Sequence, residues 1–249
     1  MDYSQANIEA LFRLIGSFPG HEFVETEDFD FIKTKDSIWP NQLINLKAEV
    51  SNLNQVLSHI ENESAQGRLP NILMSNPSDD DPVVVDLLKK RGYRSSQWAA
   101  MTHDLTILDS ENHFSEIEFN QVHSQDQLKE WIALVELELM GGEKLNAEIF
   151  SNLLKHLDCY FFLASSKSET VGTAFLFVAG KTAGIYLVST LKSHRRKGIG
   201  KEITRRCLEK AKSLGCTQVD IQATELGRGV YLSLGFINKG FINVFKIQK

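Results

Sequence analysis

Between Tyr186 and Lys201 an apolar segment runs into Arg195, Arg196, Lys197, Gly198, Ile199 and Gly200, and then into a helical pattern. These residue types in this order suit one task, the holding of an anion. Glycines let the backbone approach a ligand and turn its amides inward, a helix start adds partial positive charge, and three adjacent cations attract from a distance. A diphosphate is the natural occupant. Two commoner phosphate motifs fail on spacing. A dinucleotide fingerprint needs a third glycine where Ile203 stands, so Glu225 beyond the next strand is not read as a ribose ligand. Gly180-Lys181-Thr182 matches the end of a nucleoside-triphosphate loop, yet the glycine required five positions earlier is Phe175, which leaves a hairpin turn.

Arg195-x-x-Gly198-x-Gly200 after an apolar strand, followed downstream by Tyr231-x-x-x-Gly235-Phe236, resembles the GNAT superfamily of N-acetyltransferases. The order of elements from Ile117 to Ile247 is similar to that family's as well. The resemblance implies acetyl-coenzyme A or a related thioester as cofactor, and a site made of Val188, Thr190 and the run Arg195, Arg196, Lys197, Gly198, Ile199, Gly200 and Lys201. The amides of Arg196 through Lys201 would cradle the pyrophosphate, with Arg195 at the motif's first position. The preceding strand would splay from its neighbour near Val188, and the backbone of Val188 and Thr190 would bond the pantetheine arm. Val188 N–H would polarise the thioester carbonyl, a preset donor whose loss costs on the order of 3 kcal/mol in the transition state. Tyr231 would be the general acid that protonates the departing thiolate.

The attacking amine must lose a proton, and many relatives use a Glu on the strand before the loop. Here that strand, Ala183 to Thr190, has no carboxylate. Glu225, or Glu136 and Glu138 on an earlier helix, are the substitutes available through water. Thr224 stands where relatives often have Asn. In this family acceptor selection falls to two helices and the loop between them, here Met140 to Leu145, whose Gly141 and Gly142 either let the loop close or end a helix. His194 reads as a solvated or phosphate-contacting loop residue. The implied reaction is transfer of an acetyl or short acyl group to a primary amine, directly in a ternary complex, since no Cys or Ser sits in a nucleophile arrangement. A non-catalytic acyl-coenzyme A sensor or scaffold is the alternative. No metal is implied.

The elements that would position these residues follow from periodicity. Ile203, Cys207, Leu208, Ala211 and Leu214 form one apolar stripe on a helix from Lys201 to Leu214, closed by Gly215. Around it the second half reads as strand Ile117–Val122, helices Gln125–Leu139 and Asn146–Leu157, and strands Tyr160–Ala164, Val171–Val178 and Ala183–Val188. After the stripe helix come strand Gln218–Ala223, a short helix near Arg228–Leu234 and strand Phe241–Ile247. The first half reads as a helix through Ile8 and Ile15, an acidic stretch Glu25–Asp30 and an alternating segment Ile38–Leu46. A helix Val56–Ala65, a short run Ile72–Met74, a turn-rich segment Asn76–Pro82, a helix Val83–Arg91 and a strand Trp98–Leu105 follow. The expected fold is α/β (α+β): a GNAT-like mixed, mostly antiparallel sheet flanked by helices at residues 113–249, and a smaller N-terminal α/β domain at residues 1–112, with the boundary in the polar stretch Asp109–His113. Leu87–Tyr93 echoes Val230–Phe236, each ending in Gly and an aromatic before a strand, so the first half reads as a degenerate copy or a lid. It has no glycine-basic loop, which leaves one cofactor site per chain.

Bulk composition sets outer bounds. The 249 residues are 42% hydrophobic and 24% charged, ample for a packed core, and the net charge of −5 argues against a general nucleic-acid binder. Residues 1–17 lack the basic start and apolar run of a secretory signal, and no apolar run approaches a membrane span. A soluble cytoplasmic protein acting on a small-molecule or peptide amine is expected, as monomer or homodimer, without nucleic-acid or membrane partners. Cys159, Cys207 and Cys216 lack metal or redox spacing, and Cys207 falls on the buried stripe.

Overall fold

The computed structural model describes residue 3 and residues 5–75, 82–107 and 117–247. The first half contains helix α1 (Ala6–Gly16), strands β1 (Glu22–Glu25), β2 (Asp30–Lys33) and β3 (Gln42–Ile44), helix α2 (Leu53–Ala65), strand β4 (Ile72–Met74), helix α3 (Pro82–Lys90) and strand β5 (Arg94–Asp104). The second half contains β6 (Glu118–Gln121), α4 (Gln125–Glu138), α5 (Ala147–Leu154), β7 (Cys159–Ser166), β8 (Glu169–Ala179), β9 (Thr182–Thr190), α6 (Ile199–Ser213), β10 (Gln218–Ala223), α7 (Glu225–Leu232) and β11 (Ile237–Lys246).

Local chemistry accounts for the elements next to the basic loop. Ser124 caps α4 with a full capping box, its hydroxyl accepting from Gln127 N while Gln127 reaches back to the N-cap amide. Asn146 caps α5 through Glu148 N at 2.9 Å. In α6 the stripe of Ile203, Cys207, Leu208 and Ala211 is buried against Val171, Leu176, Ile185, Val219 and Ile221 on one face of the sheet. The opposite face carries α1, α4 and α5 over Phe161, Phe175 and Trp131, with Phe161 and Phe175 stacked at 4.5 Å. Gly180 holds the left-handed φ of +64° in the hairpin between β8 and β9, as the turn reading requires.

All eleven strands among the described residues join one sheet in the order β1-β2-β3-β4-β11-β5-β10-β9-β8-β7-β6. The architecture is the mixed, mostly antiparallel sheet flanked by helices expected from the sequence. Its order carries an internal symmetry. β1-β2-β3-β4 repeats the pairing of β7-β8-β9-β10: two antiparallel steps, then a parallel step across a helix, α2 in one case and α6 in the other. The final strand of each unit is exchanged, so that β11 pairs with β4, β5 pairs with β10, and β5 and β11 pair with each other.

This arrangement refines several boundaries. The expected division near residue 112 lies outside the described residues, as does most of the turn-rich segment from 76, and the sheet runs across both halves without a break. β1 and β2 flank the acidic stretch, whose turn is held by Thr26 Oγ1 bonded with Phe29. The strand expected from Phe241 begins at Ile237, because a bulge between Asn238 and Gly240 absorbs the polar residues in the middle. β5 begins at Arg94 rather than Trp98, its first residues being polar and exposed.

Candidate functional site

β9 and β10 run parallel and stay paired only as far as Ile185 and Ile221, after which the two strands part. Immediately beyond, β9 carries two residues, Leu187 and Val188, against Ala174 alone, since Thr173 pairs Ser189 and Phe175 pairs Tyr186. Leu187 takes a left-handed φ of +51° to make this bulge. Three bonds pin it. Thr173 Oγ1 donates to the Leu187 carbonyl at 3.0 Å, Ser189 Oγ meets Thr173 Oγ1 at 2.6 Å, and Trp131 Nε1 donates to the Ala174 carbonyl at 3.2 Å. The parted main chain of β9 therefore faces a slot rather than a strand.

The basic loop follows at once. A short 3-10 turn, Lys192–His194, precedes Arg195, and the chain then turns through Arg196 at φ +62° and Gly198 at φ +80° into α6. Gly198 is at the helix N-cap, and its left-handed conformation is the one glycine adopts without steric cost. The helix thus begins two residues earlier than its apolar stripe suggested. The amides of Arg196, Lys197, Gly198, Ile199, Gly200 and Lys201 find no acceptor among the described residues. Arg196, Lys197 and Gly198 are exposed. A Cβ at Gly200 would meet only Thr190 Oγ1, at 3.5 Å, so protein packing does not demand glycine there. Gly172 on β8 does serve packing, since a Cβ there would strike Ile199 Cγ2 at 2.8 Å. Six amides without an acceptor among the described residues, three cations and an open glycine fit a diphosphate.

Arg195 is tied back. Its guanidinium lies 2.5 Å from Glu138 Oε2 and donates to the Thr190 carbonyl at 3.2 Å, while Glu138 Oε1 accepts from Lys192 N at 2.9 Å. Glu138 is therefore a strut between α4 and the loop, not a free proton acceptor. Glu136 is likewise engaged, by Lys144 Nζ at 2.7 Å and Leu145 N at 2.9 Å. Both carboxylates that the sequence offered as bases acting through water are thus bonded within the protein. Gly141 and Gly142, at φ +63° and +89°, form the turn that ends α4. His194 meets Ser193 Oγ at 3.0 Å.

Tyr231, on α7, is 7% exposed and packs on Phe236 at 5.8 Å between ring centroids. Its hydroxyl makes no hydrogen bond to a described residue, and Tyr231 lines a cavity of about 340 Å³ that also touches Val188, Thr224 and the open end of β10. Burial, and secondarily the nearby Cys207, push its phenol well above the ordinary range, so it stays protonated. Glu225 is exposed at the first turn of α7, and the cavity lining stops at Thr224. The three cysteines are free and buried, and burial raises each thiol. Among the described residues no group of His, Cys, Asp and Glu could hold a metal ion, and no helix is long and apolar enough to cross a membrane. What sequence reasoning missed is the cavity's far wall, drawn from the first half of the chain: Ile8, Trp39, Met74 and Trp98.

Comparison with known proteins matches these features. The profile of the acetyltransferase (GNAT) family matches residues 121–236. A candidate acetyltransferase of Bacillus subtilis (strain 168) is 31% identical over 81 residues, which is 32% of this chain and 55% of that protein. Among solved structures, a GCN5-related N-acetyltransferase from Kribbella flavida aligns with a TM-score of 0.74 over 98% of this chain and 96% of its own, at 16% identity. A second, from Sphaerobacter thermophilus, aligns with a TM-score of 0.68 over 96% and 84%, at 14% identity. At such identities these two establish the fold, and they do so for both halves of the chain.

Proposed function

We propose that the chain, whose residues 121–236 match the acetyltransferase (GNAT) family, transfers an acetyl or short acyl group from acetyl-coenzyme A to a primary amine within a ternary complex. The observation that carries this reading is the set of six amides, Arg196 to Lys201, without an acceptor among the described residues, just beyond the point where β9 and β10 part. They fit the pyrophosphate, with Arg196 and Lys197 adding charge, and Arg195 is held in place by Glu138. The main chain of Val188 and Thr190, freed from β10, fits the pantetheine arm.

The thioester supplies an activated acyl carbon and a thiolate leaving group. Val188 N–H, beside the bulge, stabilises charge developing on the carbonyl oxygen. As the C–N bond forms and the C–S bond breaks, Tyr231 gives its proton to sulfur and recovers one from the new amide nitrogen, so the protein ends as it began. Tyr231 suits that exchange because its hydroxyl is protonated and unshared. The first half of the chain is, in this reading, a degenerate copy that has kept the strand topology without the glycine-basic loop and has become a wall of the site.

Thiol release from acetyl-coenzyme A over a panel of amines tests the proposal. Tyr231→Phe lowers kcat about 100-fold, within the range for removal of a general acid, and leaves the KM for the thioester near its original value. Undiminished turnover in Tyr231→Phe removes the assigned acid. A second reading, a sensor or scaffold that binds acyl-coenzyme A without turnover, is favoured by the lack of a carboxylate among the described residues lining the cavity; coenzyme A binding by calorimetry with no thiol release for any amine would establish it.

A further inference from the structure

The cavity beside Tyr231 names a class of acceptor. Its volume of about 340 Å³ lies at the small end for ligand sites. Its walls are Ile8, Trp39, Met74 and Trp98 from the first half with Met140 and Val244 from the second, and none of the described lining residues carries a charge. The polar side chains there are largely spent on the protein. Asn41 Oδ1 accepts from Thr34 N at 2.8 Å and its amide donates to the Ser37 carbonyl. Tyr186 donates to Asn7 Oδ1 at 2.7 Å, and Gln222 Nε2 donates to Tyr3 OH at 2.9 Å.

Resting on the transfer reading above, we infer that the acceptor is a small monoamine with an aromatic or aliphatic body, and that it enters as the free base. An ammonium here would be stripped of water with no opposite charge among the described lining residues to receive it, and desolvation of that kind favours the neutral amine. A cation–π contact with Trp39 or Trp98 recovers only part of that loss, since Trp39 already stacks on Phe150 at 6.2 Å. The ammonium proton therefore goes to bulk water before entry. The second proton leaves nitrogen in the exchange with Tyr231, and no carboxylate in the cavity is needed. The absence of a base on β9 and the engagement of Glu136 and Glu138 then have one explanation: the cavity deprotonates by exclusion. Polycationic or many-hydroxylated amines find neither counter-charge nor free hydrogen-bonding groups in sufficient number.

Two measurements test this. Thiol release is compared for benzylamine, 2-phenylethylamine and hexylamine against spermidine, glucosamine and lysine, with kcat/KM for the first group expected to be at least about tenfold higher. In a series of ring-substituted benzylamines, the pH profile of kcat/KM rises to each amine's own pKa. Faster turnover of spermidine or glucosamine overturns the acceptor class while leaving the transferase reading intact. A lower inflexion shared by the whole series, whichever amine is used, assigns the proton to a protein group and overturns free-base entry. Binding is followed separately by Trp fluorescence without thioester, since Trp39 and Trp98 line the cavity and Trp131 is fully buried in the core. A response to hexylamine with no thiol release for any amine upholds the cavity's selectivity and overturns the transfer on which this inference rests. Gln222→Glu, which sets a carboxylate beside Tyr3, is expected to raise the relative kcat/KM for spermidine at least tenfold; an unchanged ratio counts against an uncharged cavity as the selecting feature.

Discussion

Left-handed backbone gathers around the slot: Leu187 at φ +51°, Arg196 at +62° and Gly198 at +80°. Such conformations cost a residue with a side chain about 1 kcal/mol or more, and they persist where the surroundings over-determine them. At Leu187 the bonds from Thr173 to the Leu187 carbonyl and to Ser189 do so. At Gly198 the conformation is free only because the residue is glycine. Gly198→Ala should therefore strain the loop by about 1 to 2 kcal/mol, and that strain falls on the amides rather than on the core. The expected outcome is a KM for acetyl-coenzyme A raised roughly 5- to 30-fold with a near-unchanged melting temperature, measured by initial rates and thermal denaturation. Equal losses in both would make Gly198 a packing residue. This part of the site was legible in the sequence, since Arg195, Gly198 and Gly200 carry their spacing on the page and a left-handed turn into a helix selects glycine. The bulge at Leu187 was not legible, because its cause is a pair of hydroxyls on β8 and β9 that only the folded sheet brings together.

Elements show the same division between local and distant causes. The α6 stripe, the capping box at Ser124 and the hairpin at Gly180 are encoded within a few residues of themselves, and each was readable there. The placement of β5 was not, because its neighbours β10 and β11 lie more than a hundred residues downstream and period-two patterning says nothing about which edge a strand joins. His103 marks that junction. It sits on β5, 2% exposed, with Nε2 3.0 Å from the Leu234 carbonyl and its ring edge-on to Phe236 at 5.2 Å. Burial holds its pKa below the ordinary 6.5, outweighing the upward pull of the Leu234 carbonyl and Asp104. The unfolded chain takes up a proton near pH 6.5 while the folded chain resists, so stability is full above that pH and falls as pH drops from 6.5 through the folded value. Thermal melts from pH 8 to pH 5 should show the wild type losing stability faster than His103→Gln, and parallel slopes for the two proteins would place the proton uptake elsewhere.

For the whole molecule, the exchanged strands decide what counts as a folding unit. A fragment of residues 113–249 retains the basic loop and Tyr231 but lacks β5, which leaves β10 and β11 without the strand that joins them. It is expected to show no cooperative thermal transition and no coenzyme A binding, and co-expression with residues 1–112 should restore both. A fragment that folds and binds alone would show that β11 can close on β10 directly. The cavity makes a parallel point, because Trp39 and Trp98 reach it only when both halves are in register, and no reading of either half by itself could have described its wall.

The exchange also fixes an order of events at the ribosome. β4 leaves the exit tunnel well before its partner β11, which is made only after the whole stretch from Met74 to Ile237. At about 5–20 residues per second the wait is on the order of ten to thirty seconds. Throughout it one edge of the nascent sheet has open amides and carbonyls, the kind of edge that recruits other strands. Completion of the sheet therefore waits on β11, and nascent chains stalled before Ile237 should be the species that chaperones hold.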